Sequence, residues 1–145
     1  MRITGTPARH GPAGGDRGPV TGFVLTRDDD TTAVYVSGDT VWYEGVAEVL
    51  RRFDVAIAVL NMGAARVAAS GGAAITMTAE DGVAFARACP RATIVPLHYE
   101  DWAHFTEHRD AIQHAFDAAS LAQRLRWPVR GGTITVGVND QTVRA

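Results

Sequence analysis

Three residues of this 145-residue chain carry side chains suited to holding a metal, and each follows an apolar segment of strand length. His10 follows the segment Arg2 to Thr6. Asp39 follows Thr32 to Val36, directly after Gly38. His98 follows Thr93 to Leu97, in the run Pro96-Leu97-His98-Tyr99. Imidazole and carboxylate are donors that suit zinc, iron or manganese. In α/β sheets, ligands gather at the carboxyl ends of strands, which is where all three residues fall. Singly, each has a plainer reading. A His in a glycine-rich loop is usually just exposed, an Asp after Gly is a turn residue or helix cap, and a lone His after a strand is a hydrogen-bonded structural group. Together, on one predicted edge, they argue for a site.

The elements that must position them follow from hydrophobic periodicity. Arg2 to Thr6 is a short first strand, and the Gly/Pro-rich stretch from His10 to Pro19 is a loop long enough to wrap around something. Val20 to Thr26 and Thr32 to Val36 read as a hairpin about the polar turn Arg27-Asp28-Asp29-Asp30, whose acidic residues are a solvated turn. Tyr43 to Phe53 reads as a helix, with Val46, Val49, Leu50 and Phe53 on one stripe. Val55 to Leu60 is an unbroken apolar run, as suits a strand covered on both faces. Asn61 to Ile75 is a loop. Thr78 caps a second helix, with Glu80 and Asp81 in its first turn, and Pro90 stops it near Cys89. Thr93 to Leu97 is a buried strand and His98 to Phe105 a loop. Thr106 is expected to cap a third helix, in which Ile112 and Phe116 share a face. Ala122 to Trp127 is ambiguous and compatible with an outer strand. After a Gly131-Gly132 turn, Thr133 to Val138 is expected as a last strand. This order predicts an α/β fold with a mixed β-sheet and helices, its antiparallel part supplied by the opening hairpin.

Composition narrows the partners. The formal net charge is −2, which gives no reason to expect a nucleic acid or an anionic membrane; a small-molecule substrate is expected from the candidate pocket residues and the resemblance given below. With 46% hydrophobic and 21% charged residues, the balance is that of an ordinary globular chain, and the length fits one domain over residues 1–145. No apolar run approaches the roughly 20 residues needed to span a bilayer. The N-terminal stretch lacks the apolar core of a secretion signal. The lone Cys89 allows no internal disulfide, as in a reducing cytoplasm, and reads as a small buried hydrophobe. All 14 basic residues are Arg, which reads as a base-composition bias.

Three pieces, Arg9-His10-Gly11-Pro12, Val36-Ser37-Gly38-Asp39-Thr40 and Val95-Pro96-Leu97-His98, carry a family resemblance. From about Thr4 to about Gly132 the chain resembles the C-terminal half of a metallo-β-lactamase-fold metal-dependent hydrolase, within the branch that includes ascorbate-6-phosphate lactonase-like proteins. The resemblance implies half of a four-layer αββα sandwich. It implies two zinc or manganese ions, with His10 on the first, His98 on the second, and Asp39 as the catalytic bridge between them. A bridging anion offsets the repulsion of two dications about 3.5–4 Å apart, and a hydroxide held between them would be the nucleophile towards an ester, lactone or phosphoester. The family's principal signature, His-x-His-x-Asp-His, is absent from the chain. That leaves two protein ligands per ion, below the usual three, so weak or partial occupancy is expected. The expected state is an incomplete, truncated hydrolase. The alternatives are a non-catalytic remnant serving as a binding or oligomerisation module, or a start codon upstream of Met1. One face of the sheet is expected to lie bare, and a homo-oligomer would cover it.

Other residues have open readings. Trp102 and His104 are candidates to line a substrate pocket beside the metal edge; the alternative is that Trp102 and Phe105 pack the loop onto the sheet. His104 and His108 have the spacing of one helical turn, for chelation or simply as surface imidazoles at a helix start. Trp42 and Tyr43 either shape the same pocket or pack the core. Asn61 either offers its amide to substrate or is a turn residue. His114 has no assigned role.

Overall fold

Strands whose residues alternate in burial, and helices with a single apolar stripe, pair off into layers. In a computed structural model, which describes residues 1–14, 17–28 and 32–137, the order is β1 (Arg2–Pro7), β2 (Thr21–Thr26), β3 (Thr32–Val36), α1 (Glu44–Arg52), β4 (Asp54–Asn61), α2 (Ala79–Ala88), β5 (Thr93–Leu97) and α3 (Arg109–Ala118). Short 3-10 turns at Ala68–Ser70 and Ala122–Arg124 complete it. The five strands form one sheet in sequence order. β1–β2 and β2–β3 are antiparallel, while β3–β4 and β4–β5 are parallel. Hence β1, β3, β4 and β5 run the same way, and their carboxyl ends share one edge. The predicted α/β class and mixed sheet are found, with each strand from β1 to β5 within a residue or two of its expected bounds.

One face of the sheet packs under the helices. Val24, Ala33, Tyr35, Val55, Ala58, Leu60 and Ile94 lie buried with Val46 and Val49 of α1, Phe85 and Ala86 of α2, and Ile112 and Phe116 of α3. Tyr35 stacks on Phe85 with centroids 5.7 Å apart, and its buried hydroxyl has no hydrogen-bond partner among the described residues. The register puts Ile3, Phe23, Leu25, Val34, Val36, Ile57, Val59 and Leu97 on the opposite face. There Ile3, Phe23 and Leu97 are 58%, 43% and 37% exposed, and the others are half-buried. Only towards β5 does this face close, where Thr93 and Val95 are buried. Among the described residues, this apolar sheet face carries no helical layer, as expected.

Helix boundaries show which local signals prevailed. On α2, the Thr78 side chain accepts from the Asp81 N–H at 3.0 Å, and the Asp81 carboxylate accepts from the Thr78 N–H at 3.2 Å, a reciprocal cap. On α1, Arg51 donates to Glu44 and Glu48 along the solvent side, opposite the buried Val46 and Val49. The expected cap of α3 is corrected: the helix begins after His108, not after Thr106. Thr106 is committed elsewhere, its hydroxyl donating to the Ala64 carbonyl at 2.8 Å and its N–H to Gly63 at 3.0 Å. Two C-terminal expectations also change. Ala122–Arg124 is a 3-10 turn, and the outer strand shrinks to a single bridge between Ile94 and Leu125. Residues 133–137 form no strand, and Val138 lies outside the described residues, as do Asp29 and Asp30 of the hairpin turn.

Arg124 closes the end of α2. Pro90 has no N–H for the Ala86 carbonyl, the bond a continuing helix would make. The buried Arg124 guanidinium donates there instead, and also to the carbonyls of Cys89 and Ala92, the last at 2.8 Å from Nε. Among the described residues, no helix is long and apolar enough to cross a membrane.

Candidate functional site

Parallel strands bring the three predicted residues to one edge. After β3, the Ser37 N–H donates to the Val59 carbonyl at 2.9 Å, and Gly38 turns the chain with φ +61. A Cβ at Gly38 would stand 2.7 Å from the Thr21 carbonyl oxygen, so only glycine lets the turn sit this close to β2. The turn lifts Asp39 over the edge. The His10 loop is stitched to it: the Arg9 N–H donates to Thr40 Oγ1 at 2.9 Å, and the Val41 N–H to the Arg9 carbonyl at 3.0 Å. On the far side, Met62 N–H donates to the Leu97 carbonyl at 2.9 Å, and His98 follows with φ +59.

The Asp39 carboxylate lies between two imidazoles. Its Oδ2 is 4.0 Å from His10 Nε2, and its Oδ1 is 3.6 Å from His98 Nδ1. Oδ1 also accepts from Asn61 Nδ2 at 2.8 Å. The His98 Nδ1 atom is buried and has no hydrogen-bond partner among the described residues. All three side chains remain partly open to solvent.

Donor chemistry and spacing fit a metal in pairs. Tetrahedral zinc with ligands at about 2.1 Å sets its donors about 3.4 Å apart. The 3.6 Å and 4.0 Å separations approach this, and the His98 nitrogen is a donor atom with no hydrogen-bond partner among the described residues. As a set they do not close: among the described residues, no group of three or more His, Cys, Asp and Glu side chains is placed to hold an ion. Further donors are needed around each pair.

An aromatic run leads outward from His98. Phe105 is buried with its ring edge-on to His98 at 4.6 Å, His104 meets Phe105 at 4.8 Å, and Trp102 meets His104 at 5.8 Å. Phe105 packs the loop, whereas Trp102 is 62% exposed and does not. Beside His98 lies an open groove of about 370 Å³ lined by Leu97, Tyr99, Glu100, Asp101, Val129 and Arg130. Helical spacing between His104 and His108 does not arise, because both precede α3, and His108 Nδ1 is bonded to the Tyr99 carbonyl at 2.8 Å. Trp42 and Tyr43 pack against the core, Trp42 edge-on to Phe85 at 5.8 Å. Tyr43 also carries the Arg9 guanidinium over its ring at 4.3 Å.

The residue undervalued in the sequence is Asn61. Its place at the end of β4, between the strands bearing Asp39 and His98, was the available signal, yet contact with Asp39 depends on a register that sequence does not print.

Comparison with known proteins identifies the family and the fold. A beta-lactamase superfamily domain model matches residues 1–99. The chain is 30% identical over 131 residues to a UPF0173 metal-dependent hydrolase of Pelotomaculum thermopropionicum, covering 85% of this chain and 52% of that protein. It is 27% identical over 118 residues to the UPF0173 protein YddR of Bacillus subtilis, covering 81% and 45% respectively. Among solved structures, an isothiocyanate hydrolase from Delia radicum gut bacteria superposes with a TM-score of 0.80 at 28% identity. A protein of Veillonella parvula, described as a possible metal-dependent hydrolase, superposes with a TM-score of 0.83 at 25% identity. Each superposition covers 92% of this chain and 53% of the other. The chain thus spans about half the length of the curated relatives it matches. By sequence and by fold, it belongs to the beta-lactamase superfamily.

Proposed function

We propose that the chain contributes part of a dinuclear metal site in a hydrolase acting on a small ester, lactone or phosphoester. His10 binds one ion, His98 the other, and Asp39 bridges them, with zinc or manganese as the metal. The observation that carries this reading is the Asp39 carboxylate set between two imidazoles, one oxygen towards each. When bound, such ions supply hydroxide near neutral pH and polarise the scissile group. The chain's own residues do the rest. Asp39 holds the two positions together, and His10 and His98 anchor them to the ends of β1 and β5. Trp102 and His104 flank the approach beyond Phe105 and contact substrate. Two donors per ion fall short of the three usual for catalytic zinc, so the remaining ligands come from outside these three residues. The lone Cys89 suits a cytoplasmic setting.

The test is metal content after dialysis against a mild chelator, alongside hydrolysis of lactone and phosphodiester probes. The 145-residue chain should retain metal below stoichiometry and turn over little. Asp39→Ala should remove the metal that remains. Two tightly held ions per chain would refute the incomplete ligand set, and retention unchanged in Asp39→Ala would refute the bridge.

The bare sheet face favours a second reading, a non-catalytic module that self-associates through Ile3, Phe23 and Leu97. Light scattering checks it. A dimer that a Phe23→Glu substitution dissociates would favour this reading, and a monomer at all concentrations would exclude it.

A further inference from the structure

We propose that Asn61 is a positioning residue that fixes the Asp39 carboxylate for metal binding. The inference rests on the metal reading above. Three observations make the arrangement a built one. The Asn61 N–H donates to Ser37 Oγ at 2.9 Å, and the Ser37 hydroxyl donates onward to the Gly38 carbonyl at 2.8 Å. The backbone of Asn61 is therefore pinned to the turn that carries Asp39. The side chain then reaches across the parallel β3–β4 pair, and Nδ2 donates to Asp39 Oδ1 at 2.8 Å. Finally, Asn61 is paired with Leu97, so the strand beside it leads straight into His98.

The residue type matters. A carboxylate only accepts, so its partner must donate, and the amide does so without adding charge. A second carboxylate would repel Asp39, and a cation would compete with the metal for it. With Oδ1 tethered, the carboxylate cannot rotate freely about its Cβ–Cγ bond, and Oδ2 stays turned towards His10. Groups that orient a metal ligand in this way are worth about 10–100-fold in metal affinity.

The experiment titrates the full chain with Mn²⁺, reading free Mn²⁺ by electron paramagnetic resonance, and repeats it with Zn²⁺ by calorimetry. Asn61→Leu keeps the approximate volume and removes the donor. Asn61→Ser keeps a polar group too short to reach Oδ1, and it decides the matter if the leucine variant fails to fold. Asn61→Gln keeps the amide on a longer arm. The expected result is a loss of about 10–100-fold in affinity for Asn61→Leu and Asn61→Ser, with thermal unfolding little changed, and partial recovery in Asn61→Gln. Wild-type binding with unchanged affinity in the folded variants would overturn this inference and leave the metal reading standing. Absence of wild-type binding at millimolar metal would overturn the metal reading and this inference with it.

Discussion

Replacing Arg124 by Met tests whether a cation that donates to backbone carbonyls can hold one end of the fold together. The guanidinium is buried, and that burial draws its pKa down from the ordinary value. It donates to three carbonyls, of Ala86, Cys89 and Ala92. Met fills the space but donates nothing. The Cys89 carbonyl keeps the Ala92 N–H at 3.1 Å, while the Ala86 carbonyl, facing Pro90, loses its bond. An unsatisfied buried carbonyl costs about 1–3 kcal/mol, and hydrogen bonds from a charged donor contribute about 1.5–3 kcal/mol each. Relief from burying a charge offsets part of this, leaving a net loss of roughly 2–4 kcal/mol. For a chain of this size that is a fall in Tm of roughly 5–15 °C. Arg124→Lys should recover less than half, because a single ammonium cannot span three carbonyls in different directions. Urea denaturation followed by circular dichroism measures both. Metal affinity should be unchanged, since Ala92 precedes β5 and the site lies at its other end. An Arg124→Met variant within about 0.5 kcal/mol of wild type, or a lysine variant as stable as arginine, would refute the clamp.

Other perturbations have definite signs. Tyr35→Phe removes a buried hydroxyl that has no partner among the described residues, so urea titration should find it neutral or up to about 1 kcal/mol more stable. Gly38→Ala forces φ +61 on a residue with a Cβ and sets that Cβ 2.7 Å from the Thr21 carbonyl oxygen; stability should fall by about 2 kcal/mol or more, and metal retention with it. Burial raises the Asp81 pKa above its ordinary value, although the N–H groups of Thr78 and Trp42 pull it down. The folded state therefore binds the proton more tightly than the unfolded one, and Asp81 costs stability as pH rises from about 4 towards neutrality. Asp81→Asn lacks that term, so its stability relative to wild type should climb between pH 3.5 and pH 7 in paired denaturation curves.

Local signals located most of the fold. The runs of β4 and β5, the stripe of α1 and the Thr78 cap of α2 are written in residues close together in sequence, and the structure keeps these elements, but β4 is covered on its helix face alone, with Ile57 and Val59 half-buried on the other. Thr106 misled because its hydroxyl satisfies Ala64, 42 residues away, while the neighbouring Glu107 carboxylate accepts the Ala79 N–H at the start of α2. Such debts between distant segments are invisible to a reading of caps. The expected last strand at Thr133 had the right composition but pairs with nothing in residues 133–137. At the site, the convergence of His10, Asp39 and His98 was legible because strands of one direction end at one edge. The bond between Asn61 and Asp39, 22 residues apart, was not, because it exists only once Val36 is set beside Val59.

The sheet's order has a kinetic consequence. Because every strand lies beside its neighbour in sequence, the sheet can grow by accretion as the polypeptide leaves the ribosome, without waiting for a distant strand to be inserted. The β1–β2–β3 meander pairs strands that are neighbours in sequence, so His10 and Asp39 are brought to the same edge by the first 40 residues. His98 arrives only after the longest excursion between strands, from 62 to 92, and after α2 has docked. Assembly of the edge should therefore occur in two phases, with the His10–Asp39 pair early and His98 last. A nascent chain stalled before β5 would carry a half-formed edge that is already ordered on one side.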